Sequence, residues 1–209
     1  MGRRKTDTRG VQWTVEAFLA VLVLLSALVV VTAVVPTGTG QAEAEQAQEQ
    51  LQQAGDDVLR LADQEGLLSE GVLYWDSTAG EFADTETAVG GEPHYTTFVS
   101  APDHPLERVL SGTLAERQVA YNIHITYQGA TGTERRPVVY QGPPGGDSVI
   151  ASETVILTNS DEPLITSGDG CETLGELSEC PADSFYAVDT SPGSERYTVV
   201  QVELELWRV

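Results

Sequence analysis

Lysine is almost missing from this 209-residue chain: Lys5 is the only one. The 11 basic residues face 32 acidic ones, for a formal net charge of −21. A nucleic-acid binder needs a basic stripe to displace counterions from phosphate, so this balance argues against nucleic acid as a partner. Cysteine is scarce too, limited to Cys171 and Cys180, nine residues apart in a turn-rich segment. A structural zinc site asks for four ligands in closely spaced pairs, so a disulfide in an exported domain is the expectation, with a pair of free thiols as its alternative. His94, His104 and His124 are the three histidines, and no two share the i, i+4 spacing that puts paired ligands on a helix face. G-x-S-x-G, HExxH and a phosphate-cradling glycine loop are all absent. The acids Asp56-Asp57, Asp161-Glu162 and Asp183 lack EF-hand spacing and read as solvated surface. The expectation is therefore a protein that is not an enzyme, with no catalytic residue, no metal and no cofactor. No N-x-[ST] acceptor and no internal repeat is found either.

The charge is unevenly placed. Within residues 1–11, Arg3, Arg4, Lys5 and Arg9 face only Asp7, so the remainder is more acidic still than the whole. Acidic, lysine-poor chains suit very high salt, where the Debye length shrinks to about 3 Å or less and self-repulsion is screened. A dedicated acidic partner-binding face is the alternative.

Against these scarcities stands one abundance, the uncharged run Ala17 to Val35. It is built on Ala17, Phe18, Leu19, Leu22, Leu24, Leu25, Leu28, Val31 and Val35, and as a helix it spans roughly 28 Å, close to the thickness of a bilayer core. The basic leader before it predicts a single-pass topology with the N-terminus cytoplasmic and the C-terminal domain outside the cell membrane. Trp13 fits an interfacial aromatic at the cytoplasmic boundary. Two export routes compete. A cleaved secretory signal would use the small residues Gly40 and Ala42, although its apolar region would be unusually long. A twin-arginine signal would use Arg3-Arg4, although Lys5, Thr6 and Asp7 follow.

Beyond the run, 36–40 (PTGTG) breaks or kinks the helix, and an amphipathic helix follows with Ala44, Ala47, Leu51, Ala54, Val58 and Leu61 at alternating spacings of three and four. Its stripe packs on the protein's own sheet or on a coiled-coil partner, and Gly66 stops it. Tyr74 and Trp75 plug a join between helix and sheet or form an adhesive patch. Tyr95 to Val99 reads as a strand, and Leu106, Val109, Leu110 and Leu114 as a short helix ending near Gln118, capped by Asp103 and His104. The last ninety residues read as strands over 119–127, 135–141, 148–158 and 197–208, with clear alternation in the first and last. His124 falls on the polar face of its strand, where it should be solvated or at an edge. The fold class is α+β: leader 1–11, membrane helix 12–35, kink and amphipathic stalk helix 36–70, and a head over 71–209 with an antiparallel sheet.

A basic leader ending in Arg9-Gly10, then Val11-Gln12-Trp13-Thr14-Val15-Glu16, then the apolar run, a continuing amphipathic helix and an antiparallel sheet, resembles a type IV pilin. The chain looks most like the pilin-like membrane proteins of halophilic archaea. The resemblance implies a prepilin peptidase cutting near Gly10, and helices that leave the lipid bilayer to bundle with other pilin-like subunits. It implies an assembly role for Glu16, whose carboxylate gains from the helix macrodipole and from pairing with a neighbour's free α-amine. In that family the carboxylate is commonly the fifth mature residue, which here requires a cut between Val11 and Gln12; a cut after Gly10 keeps the usual small residue and makes Glu16 the sixth. The reading of function is a structural or accessory filament subunit. A tethered surface-binding module that never polymerises is its rival.

Overall fold

In the computed structural model, which describes residues 39–85, 93–97, 103–114, 118–168, 170–180 and 183–209, the first element is helix α1 (Thr39–Gln64). The leader, Gly10, Val11, Gln12, Glu16 and the apolar run lie outside the described residues. No described helix is long and apolar enough to cross a membrane. The chain divides into units 1–45 and 46–209, and the rest of the description concerns the second.

Among residues 44–64 of α1 the buried ones are Leu51, Gly55, Val58, Leu59 and Ala62, while Leu61 is 44% exposed. The heptad spacing read from sequence thus carries the stripe to the wrong residue at its end. A straight helix turns every 3.6 residues, so a stripe drawn at 3.5 from Ala44 drifts by about 20° per heptad, and by Leu61 the buried line has moved to Leu59 and Ala62. Gly66 ends the helix as expected, with φ at 76° and its N–H donating to Asp63 O at 2.9 Å. A short α2 (Leu67–Val72) follows, burying Leu67, Leu68 and Val72.

Four strands make the main sheet: β3 (Val119–Gly129), β4 (Gly132–Tyr140), β5 (Val149–Thr158) and β6 (Arg196–Arg208), all antiparallel in the order β4-β3-β6-β5. Alternation sets which face goes in. Ile123 pairs with Leu204, Ile125 with Val202 and Val155 with Val200, and all six are buried with Leu51, Val58, Leu59 and Ala62 of α1 in one core. Because β4 and β5 occupy opposite edges, the connection 141–148 has to cross the ends of β3 and β6. Asn122 holds it there, its Nδ2 donating to Gly142 O at 2.9 Å and its Oδ1 accepting from the Gln141 N–H at 2.9 Å. Gly145 lies against the Trp207 ring, which helps bury a tryptophan on the outward face of β6.

Two glycines test how closely the layers fit. A Cβ on Gly55 would come within 2.7 Å of Leu206 Cδ1 and 2.9 Å of Ala151 Cβ, so α1 touches the sheet where it has no side chain. Gly112, in helix α3 (Glu107–Leu114), has open space around its Cβ position. Gly55→Ala is therefore expected to lower the urea midpoint, because overpacking at about 1–3 kcal/mol outweighs a helix-propensity gain of about 1 kcal/mol. Gly112→Ala should raise it by the propensity term alone. Midpoints that move the same way would contradict this close contact.

A second part of the core is aromatic and sits among irregular segments. The two-stranded pair β1 (Trp75–Asp76) and β2 (Glu81–Phe82) buries Trp75 and Phe82. Trp75 meets Phe82 edge-on at 5.3 Å, Tyr186 at 5.1 Å and Phe185 at 6.2 Å between ring centroids, and Arg136 lies 5.0 Å over its ring. Trp75 thus belongs to the core, and Tyr74 packs against it half-buried. The strand expected over 95–99 reduces, within the described residues, to one bridge from Tyr95 to Val139. That bridge extends β4 at its free edge, with the Tyr95 N–H donating to Val138 O at 2.8 Å. The short helix expected after Pro105 is α3, with Leu106, Val109, Leu110 and Leu114 buried as its spacing required.

Candidate functional site

Two places in the head bring chemistry-bearing side chains together. The first is the sheet face turned away from α1. Strand β6 contributes Val199, Gln201, Glu203 and Glu205; β3 contributes Asn122, His124 and Thr126; β4 contributes Arg135 and Tyr140; β5 contributes Ile150 and Ile156. Glu203 is the hinge of its polar part, accepting from Arg135 Nε at 2.9 Å and from Thr126 Oγ1 at 2.8 Å. Glu205 takes longer contacts from Asn122 Nδ2 at 3.4 Å and Ser148 Oγ at 3.5 Å.

His124 is buried between these groups, contrary to the expectation of a solvated or edge position, and its Nδ1 has no hydrogen-bond partner. The reason is strand order. β3 is an interior strand, so neighbours on β4 and β6 close over a side chain that the polar face would otherwise leave wet. Burial pushes the His124 pKa down, the Arg135 guanidinium pushes the same way, and Glu205 and Glu203 oppose them. Around this polar strip four apolar side chains stay exposed: Ile156 at 61%, Ile150 at 52%, Val199 at 39% and Tyr140 at 38%. A shallow hollow of about 370 Å³ opens beside them, lined by Thr126, Gln128, Thr154, Val199 and Gln201 among others. Mixed apolar and polar side chains on one broad face have the make-up of a contact surface.

The second place is the corner that holds the cysteines. Cys171 and Cys180 form the expected disulfide, with their Cα atoms 6.1 Å apart. They flank the single-turn helix α4 (Leu174–Leu177), which buries Leu174 and Leu177 in the core. The corner is tied to the rest by backbone bonds: Leu174 N–H to Asp161 O at 2.8 Å, Gly175 N–H to Asn159 O at 3.0 Å and Ser184 N–H to Ser77 O at 2.9 Å. Asp183, read from sequence as solvated surface, is instead buried beside the bridge, at 7% exposure. Its Oδ2 accepts from Ser167 Oγ at 2.5 Å and from the Ser167 N–H at 3.3 Å, while its Oδ1 has no partner. Among the described residues this is the one group of three His, Cys, Asp or Glu side chains whose ligand atoms converge, all within 4.8 Å of one another. The only local signal for it is an acid three residues after Cys180.

His104 completes the account of the histidines. Its Nδ1 accepts from the Leu106 N–H at 3.2 Å and its carbonyl from the Glu107 N–H at 3.0 Å, so it caps α3 as the sequence suggested, whereas Asp103 is exposed.

The family model of DUF7288, a family of unknown function, matches residues 9–206. The chain belongs to that family. Neither a curated protein nor a solved structure matches it.

Proposed function

Starting from that family, whose shared span runs from Arg9 in the leader to Leu206 in the last strand, we propose that this chain is a pilin-like structural or accessory subunit of a type IV pilus-like filament or its assembly machinery. One observation carries the reading. A 26-residue helix directly downstream of a membrane-length apolar run lies with its second half along a four-stranded antiparallel sheet, and the family span takes in leader junction, run, helix and sheet together. A shared span of that extent favours an apolar run retained with the head over one discarded with a signal peptide.

In this reading the leader sits in the cytoplasm, the run stores the subunit in the bilayer and the head faces outward. Prepilin peptidase removes the leader near Gly10, and Glu16 pairs with the new α-amine of a neighbouring subunit, a contact worth most where lipid excludes water. Residues 46–50 of α1, none of them buried, face other subunits' helices.

The test is Glu16→Ala expressed beside the wild-type chain in a cell that makes the filament. Incorporation into sheared filaments should drop at least tenfold, and mass spectrometry of the wild-type subunit should find Val11 or Gln12 as its first residue. An intact Met1, or a start beyond Ala42, sinks the proposal.

The exposed Ile150, Ile156, Val199 and Tyr140 favour a second reading, a membrane-tethered surface module that binds through its outer sheet face. Glu16→Ala would then leave both surface display and binding unchanged.

A further inference from the structure

We propose that Cys171, Cys180 and Asp183 make a redox-gated site for one thiophilic divalent cation, closed while the disulfide stands and opened by its reduction. The argument begins with the carboxylate. Asp183 is buried, Ser167 holds its Oδ2 from two donors, its Oδ1 has no partner, and a carboxylate oxygen lies within 4.8 Å of both sulfurs. A buried acceptor left unpaired is costly unless something positive meets it in another state of the site. The oxidised sulfurs supply nothing positive and are poor ligands themselves.

Reduction changes that. A dithiol donor gives two electrons and two protons to the S–S bond, leaving two thiols and becoming a disulfide itself. A cation then displaces both thiol protons to solvent and binds two thiolates and a carboxylate. Zinc–sulfur bonds of about 2.3 Å in a tetrahedral site put the two sulfurs about 3.8 Å apart. Cα atoms 6.1 Å apart allow that separation by side-chain rotation alone. Both cysteines are partly exposed, so an ion can enter, and solvent fills the fourth position. Two thiolates with one carboxylate select zinc or cobalt over magnesium or calcium, which want oxygen alone.

The experiment uses the full chain in detergent, reduced with dithiothreitol and freed of it by anaerobic gel filtration, then titrated with cobalt(II). Expected is one equivalent bound with a near-ultraviolet thiolate-to-cobalt charge-transfer band, displaced by zinc, and no band from the oxidised chain. Asp183→Asn should weaken cobalt binding at least tenfold while two thiols still titrate. Absence of the band in the reduced wild type overturns the assignment, as does undiminished affinity in Asp183→Asn. If that variant does not fold, Cys180→Ser carries the test. Its charge-transfer intensity per bound cobalt must fall by about half, and an unchanged intensity overturns the site.

Discussion

Trp75→Ala lowers the unfolding free energy by about 3–5 kcal/mol, as expected when a buried aromatic leaves a cavity its neighbours cannot fill. Three terms act together here. The ring is 1% exposed and meets Phe82, Phe185 and Tyr186 edge-on, so the hole opens among rigid rings. Its Nε1 donates to Ser184 O at 2.7 Å, and truncation strands that carbonyl. Arg136 loses the aromatic face 5.0 Å below it. Trp75→Phe separates the terms, since it keeps most of the packing and gives up the hydrogen bond, so it should cost about 1–3 kcal/mol. Urea unfolding of the three chains checks the order. Equal midpoints for wild type and Trp75→Ala would mean that the aromatic corner does not hold the head together.

Acid should unfold the head through His104. Burial holds its pKa down at about 3, against an ordinary value of 6.5. Geometry gives the same direction: Nδ1 accepts the Leu106 N–H, and a proton there would set donor against donor. Tyr74 and Tyr95 crowd the ring at 4.8 and 5.3 Å between centroids. Above pH 6.5 the histidine is neutral in both folded and unfolded chains and adds nothing to pH dependence. Below it the unfolded chain takes up a proton that the folded chain refuses. Stability therefore falls with falling pH at a slope approaching 1.4 kcal/mol per unit, and the loss reaches on the order of 4 kcal/mol by about pH 3. The window from pH 6.5 to 5 isolates this term, because most carboxylates stay ionised there. His104→Asn supplies an oxygen that can accept the same N–H two residues on and does not titrate. Unfolding free energies of the variant should lose most of that slope, leaving the smaller share that belongs to His124. Identical slopes would show that His104 titrates freely in the folded head.

The two interior strands were legible because β3 and β6 alternate in sequence. The segments read from 119–127 and 197–208 lie within the observed β3 and β6. Helix α3 was legible from four leucine and valine positions for the same reason. Periodicity reports a residue's face but not its neighbours. Nothing in residues 119–208 says that β3 and β6 are the interior pair, and without that His124 and Asn122 look solvated. The aromatic corner was harder, since Trp75 and Phe82 come from two-residue strands and Phe185 and Tyr186 from an irregular stretch far along the chain, with no repeat to join them. Asp183 was hidden in the same way: its burial depends on Ser167, sixteen residues earlier, and on a loop whose path only the folded chain defines.

The position of β6 governs when this head can exist. The strand nearest the C-terminus lies between β3 and β5 and is the partner of both, so the hairpin of β3 and β4 and the lone β5 share no bonds until Arg196 to Arg208 arrives. A ribosome still holding those residues holds an open sheet. Closing the sheet therefore waits on this strand and is slowed by its long-range pairings, and chains cut before Arg196 lack the strand that joins its two halves.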